Sequence, residues 1–146
     1  MSGETNLNTL LQSMQPLLHP EEYVFCTLGD KPGGMASLRD FSDSHLTPVC
    51  IFRESEGITL ILSRQQADAA ALAYTALFSM ITLDVHSSLE AVGFLAAITS
   101  KLAEHNISVN PVSAYYHDRL FVPVDRAEEA ISLLEEFSNS NTDKIN

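Results

Sequence analysis

Basic residues are scarce in this chain. Eight lysines and arginines stand against 19 aspartates and glutamates, a formal net charge of −11. No Lys/Arg run offsets that balance, so nucleic acid and anionic membrane surfaces are excluded as partners: their phosphates would be repelled. Cysteine is almost as rare. Cys26 and Cys50 both lie inside apolar runs, and residues 1–15 are polar and helical in pattern rather than a leader for export, so the pair reads as two buried, reduced thiols. A bilayer-spanning run is also missing. The charge-free stretch 69–83 is 15 residues long and contains Tyr74, Thr75, Ser79 and Thr82, short of the roughly 20 apolar residues that a spanning helix needs. The expectation is a cytoplasmic protein that does not insert into membranes.

Catalytic and metal signatures are lacking as well. The five histidines (19, 45, 86, 105 and 117) and two cysteines show neither Cys-x-x-Cys nor His-x-x-x-His spacing, so no metal and no cofactor is expected. There is no Gly-x-Ser-x-Gly around a nucleophilic serine. Cys26 falls mid-strand, where burial makes a thiol inert. Lys31-Pro-Gly-Gly34 lacks the Lys-Ser/Thr ending of a phosphate-binding loop and reads as a turn. Glu128-Glu129 and Glu135-Glu136 are adjacent within one helix, so they diverge around its axis and form a solvated face. No catalytic residue is assigned.

What is present is a globular composition, 45% hydrophobic and 18% charged, on 146 residues, enough for one ordinary domain or two half-sized ones sharing a core. A weak internal echo favours the second. The segment opening at Ile58 returns at Leu120: a short apolar strand, a helix-capping residue (Ser63, Asp125), an arginine (Arg64, Arg126), then Gln66 or Glu128 three positions after the cap. Both junctions read as capping boxes. Along the chain, Leu7, Leu10, Leu11 and Met14 form one helical stripe closed by Pro16. Strands follow at 23–28, 49–52 and 58–62, the last two joined as a hairpin by 53–57, with a helix at about 65–74. Then come a half-buried strand at 78–85, a helix over roughly 90–105, a hairpin of 107–116 with 119–124 around His117-Asp118, and a last helix at 126–137. Residues 29–47, rich in glycine, serine and aspartate, form an unusually long loop. The fold class is α+β: two ferredoxin-like βαββαβ-type units, at 1–74 (with the 29–47 loop) and 75–146, each an antiparallel sheet with helices on one face. About seven strands are expected, in one continuous sheet or two.

Val92-Gly93-Phe94-Leu95 and His105-Asn106-Ile107, set in the strand–loop–helix–strand run from His86, resemble the signature of ACT domains, the small-molecule-sensing modules of aspartokinases and other amino-acid-pathway enzymes. The whole chain resembles a free-standing bacterial group with two ACT-like units and no catalytic domain, and the second half carries most of the likeness. The resemblance implies a ligand in the loop before the helix and at the start of the next strand: His86, Ser87, Ser88, Leu89, Gly93 and Ile107. The residues have their own logic. Ser87 and Glu90 stand in Ser-x-x-Glu spacing, so a capping box would serve the helix start without a ligand. The backbone N–H groups left over, with the helix dipole, would suit the carboxylate of a free amino acid. Gly93 admits either a close ligand or tight helix packing. Asn106 reads as a left-handed residue closing the helix.

The expected function is therefore a non-enzymatic regulatory module that senses a small molecule, an amino acid in the first instance. A homodimer is expected from the family's habits and from strands whose prolines (Pro111, Pro123) belong at edges. Any regulated protein partner is unknown. Two other classes stay open: a small enzyme on a ferredoxin-like fold with the 29–47 loop as a lid, and a ligand-free adaptor.

Overall fold

A computed structural model describes residues 3–29 and 45–139. The expected long loop thus lies for the most part outside the described residues. Within them run α1 (Leu7–Ser13), β1 (Gln15–Leu28), β2 (Cys50–Glu54), β3 (Gly57–Ser63), α2 (Arg64–Ala69), β4 (Phe78–Asp84), α3 (Phe94–Ala103), β5 (Asn110–Ser113), β6 (Asp118–Pro123), a 3-10 turn (Val124–Arg126) and α4 (Ala127–Asn139). The fold is α+β and ferredoxin-like, with an antiparallel sheet.

Two compact units form. One joins the residues up to Pro20 with those from Ser79 onward; the other is Glu21–Phe78. In the first, the strand order is β1-β4-β6-β5, and three helices cover one face. Leu10 and Met14 of the α1 end, Phe94, Ile98 and Leu102 of α3, and Ala127, Ala130 and Leu134 of α4 meet Ile81 and Leu83 of β4 and Leu120 and Val122 of β6 in one core. The α1 stripe of the sequence accounts for Leu10 and Met14, whereas β4, expected as half-buried, is buried on both faces from Ser79 to Leu83; each buried leucine or isoleucine contributes about 1.5–3 kcal/mol. In the second unit the order is β2-β3-β1. Antiparallel register places Val24 opposite Leu62, Cys26 opposite Leu60 and Leu28 opposite Ile58, the side that packs with Ala67, Leu72, Tyr74 and Leu77. Both cysteines are free. Burial pushes the Cys26 thiol above its ordinary range, while Cys50 is only half-buried.

Several elements differ from the sequence expectation, each for a local reason. The strand expected at 23–28 begins at Gln15. Pro16 and Pro20 lie four apart, so their missing donors fall on one side of the strand, and β3 pairs only Tyr23–Leu28; a strand open on one side can carry prolines. α2 ends at Ala69 rather than near Tyr74, because Ala71 turns left-handed at φ +55. The capping echo holds at one copy only. Ser63 caps α2, its hydroxyl accepting from Gln66 N at 3.3 Å. Asp125 lies inside the 3-10 turn rather than ahead of it; no side chain caps that turn, and α4 starts two residues later. The two arginines after the capping positions both tie their junction to an earlier element. Arg64 reaches Glu22 at 3.1 Å. Arg126 donates to the His105 and Asn106 carbonyls at 3.0 and 3.4 Å, and pairs with Glu129.

Candidate functional site

Between Asp84 and Phe94 the chain leaves β4, turns repeatedly and enters α3. Ser87 N donates to the Val85 carbonyl at 3.0 Å and Ala91 N to the Ser88 carbonyl at 3.0 Å. The expected Ser87/Glu90 capping box does not form. Ser87 Oγ instead donates to Asp118 Oδ2 at 3.1 Å, and the Ser88 hydroxyl, not Ser87, takes the Glu90 N–H at 3.1 Å. Helix α3 begins four residues late, behind Gly93 at φ +91, with no side-chain cap. A β-carbon on Gly93 would meet only Leu7, at 3.5 Å. The glycine is therefore required by its left-handed backbone, not by tight packing of helix on sheet. The first intrahelical bond runs from Ala97 N to the Gly93 carbonyl at 2.9 Å. The N–H groups of Phe94, Leu95 and Ala96 precede it, are uncapped, and carry the positive end of the helix dipole.

Phe94, Leu95 and Ala96 are part of the lining of a cavity of about 210 Å³. Its wall is Ser87, Ser88, Leu89 and Ala91 of the loop, Gly93 to Ala96 of the helix start, Ser113 at the end of β5 and Asp118 at the start of β6. Asp118 is the one charged residue of this wall. It is 7% exposed, accepts from Ser87, and has no ion pair among the described residues. The cavity wall thus combines residues of an uncapped helix start with a nearly buried carboxylate.

Of the six residues the sequence singled out, the structure brings Ser87, Ser88, Leu89 and Gly93 together in that wall. Ile107 lies elsewhere: it is 3% exposed and packs in the hydrophobic core. His86 also stands outside the lining. Its ring lies 5.2 Å from that of Tyr116, and its Nε2 is buried without a hydrogen-bond partner. Asn106, at φ +57, does adopt the left-handed form that ends the helix. Asp118 and Ser113 escaped the sequence reading, which saw His117-Asp118 only as a turn. An acid–base pair, Asp118-Arg119, opening the apolar run Leu120–Pro123 was the available signal. Leu89 and Val92 of the loop before α3, and Tyr115 and Tyr116 of the turn between β5 and β6, are exposed, and His117 pairs with Asp84 at 3.3 Å. Among the described residues no three metal-ligating side chains cluster, and no helix is long and apolar enough to cross a membrane.

Comparison with known proteins bears on the family and the fold. One ACT-domain family profile matches residues 2–79 and a second ACT-domain profile matches residues 77–136. No curated protein matches the sequence. Among solved structures, a Vibrio cholerae protein of unknown function, a possible transport protein, is 47% identical at a TM-score of 0.78, covering 94% of this chain and 99% of its own. The regulatory subunit of aspartate kinase from Thermus thermophilus is 11% identical at a TM-score of 0.65, with 86% and 97% coverage. Aspartokinase alpha and beta subunits are 14% identical at 0.63, again with 86% and 97% coverage. The last two likenesses are of fold alone. Two consecutive profile matches running from residue 2 to residue 136, on a fold shared with aspartate kinase regulatory subunits, make the chain a member of the ACT-domain family with two such domains in tandem.

Proposed function

We propose that this protein is a non-catalytic regulatory module that binds a free amino acid as its zwitterion in the cavity at the start of α3. The observation that carries the reading is Asp118, a 7% exposed carboxylate in the cavity wall with a serine hydroxyl but no ion pair among the described residues. A buried charge of this kind is costly until an opposite charge arrives. A ligand ammonium on Asp118 would supply that charge, and a ligand carboxylate would meet the uncapped N–H groups of Phe94, Leu95 and Ala96. The remaining wall is small or apolar with serine hydroxyls, and no basic side chain lines it. This favours amino acids with uncharged side chains over aspartate and glutamate, whose second carboxylate would face Asp118. Exposed Leu89 and Val92, at 65% and 84%, lie in the loop before α3; they support closure of the site by a second copy of the chain, as a homodimer.

The test is a thermal-shift screen of the purified protein against the twenty L-amino acids. One class of neutral amino acids should raise Tm, since ligand at about 100 times Kd adds roughly 2.7 kcal/mol of stability, while aspartate and glutamate should give the smallest shifts. A flat response across the panel sinks the reading, and a response led by aspartate or glutamate sinks the charge assignment.

A further inference from the structure

The segment before α1 is laced to the back of the site loop. Glu4 N donates to the His86 carbonyl at 2.8 Å and Ser88 N donates to the Glu4 carbonyl at 2.9 Å, a single parallel bridge centred on Ser87. Gly3 makes that approach feasible. Its φ is +105, and a β-carbon there would stand 2.6 Å from Ser88 N and 2.8 Å from the Ser87 carbonyl carbon, distances that backbone atoms cannot accommodate. The strap is stiffened from within. Glu4 Oε1 accepts from Thr5 N and Asn6 N, each at 2.9 Å, and Asn6 Oδ1 caps α1 through Thr9 N at 3.0 Å. At its other end Leu7 lies against Gly93. Residues 3–7 therefore touch the loop at both of its functional points, the serine pair and the glycine that starts α3, yet none of them lines the cavity.

Resting on the amino-acid reading above, we infer that residues 3–7 are a strap whose docking holds the 86–93 loop in its ligand-accepting form, so that strap docking and cavity occupancy are coupled. Ser87 and Ser88 belong to the cavity wall through the same short stretch of backbone that the strap bonds. Releasing two backbone hydrogen bonds frees that stretch to populate other shapes, and apparent affinity falls by the fraction of molecules that keep the right one. Linkage makes the effect mutual: a bound amino acid tightens the strap by the factor by which the strap tightens binding. Gly3 and Glu4 act as positioning residues, and the segment offers a handle through which another molecule could tune the site.

The experiment compares the full chain with Gly3→Val and Glu4→Pro, the first removing the close approach and the second the Glu4 N–H donor. Glu4→Gln, which retains backbone and side-chain acceptors, is the control. Amide exchange is followed at Ser88 and Ala91 and, as an internal standard, at Ile98 and Leu120. Binding is titrated with whichever of the twenty L-amino acids raises the unmodified protein's Tm most. Both strap variants should exchange faster at Ser88 and Ala91 with the standards unchanged, and should lose affinity on the order of tenfold. In the unmodified chain the same amino acid should slow exchange at Glu4. Unchanged affinity in variants whose Ser88 amide is released overturns the strap and leaves the binding site standing, as does a Ser88 amide that neither variant releases. Absence of binding in the unmodified chain overturns the site reading itself.

Discussion

A carboxylate that is 7% exposed, with one serine hydroxyl as its hydrogen-bond partner among the described residues, gives up much of its contact with water on folding. Proteins keep such groups where function needs them, and the ordinary signature is a trade of stability against binding. Asp118→Asn separates the two roles. The amide keeps an acceptor for Ser87 and removes the charge. In the ligand-free protein this variant should be more stable by about 1 kcal/mol, a rise of roughly 2–4 °C in Tm. The amino acid found by screening should bind at least about 2 kcal/mol more weakly, roughly thirtyfold, in calorimetric titration. A variant that melts lower and binds as before would make Asp118 a structural residue and move the ammonium site elsewhere. Little of this could be read in the sequence. The Ser87-to-Gly93 stretch was legible because a loop opening a helix has a local grammar. Asp118 lies 31 positions from its hydrogen-bond partner Ser87, and only the pairing of β5 with β6 brings Ser113 and Asp118 opposite each other. The hairpin itself was legible, but no local pattern encodes the meeting of Asp118 with Ser87.

At the scale of elements, residue type, turn signals and hydrophobic periodicity located the six strands and four α-helices of the described residues, but the count of about seven strands was one too high and the ends were misplaced. Capping grammar was the weakest guide. Three Ser/Asp-x-x-Gln/Glu spacings looked alike, and only Ser63 became a cap. Ser87 was taken by Asp118, and Asp125 was drawn into a 3-10 turn after Pro123. Each loss reflects a tertiary partner or a neighbouring proline that a three-residue spacing does not contain. The difference is measurable. Ser63→Ala should cost about 1 kcal/mol, the usual worth of an N-cap. Asp125→Ala should stay within about 0.5 kcal/mol, as surface substitutions do, in paired chemical denaturation. Equal losses at the two positions would restore the capping echo and contradict the helix start at Ala127. The early start of β1 was hidden for a related reason: two prolines read as strand breakers until the open side of 15–22 is known.

At the scale of the whole molecule, sequence order and cooperative order part company. Among the described residues, 3–20 pack with 79–139, and Glu21–Phe78 has its own core. Leu10 is fully buried among Phe94, Ile98, Leu102 and Leu134, so α1 belongs energetically with the helices around the candidate site although more than sixty residues intervene. Local opening follows such packing units rather than chain position. Leu10→Ala should therefore cost about 2–5 kcal/mol, the range for emptying a packed leucine site. Hydrogen exchange should then quicken together at Met14, Ile98, Leu102 and Leu120, with Val24, Leu60 and Leu62 keeping nearly their original protection. The same variant should weaken amino-acid binding, because the segment that bridges to Ser87 leads directly into α1. If Val24 and Leu60 lose protection in step with Ile98, the chain opens as one cooperative body. A change confined to Met14 would instead show that α1 is a detachable cover with no energetic share in the site's core.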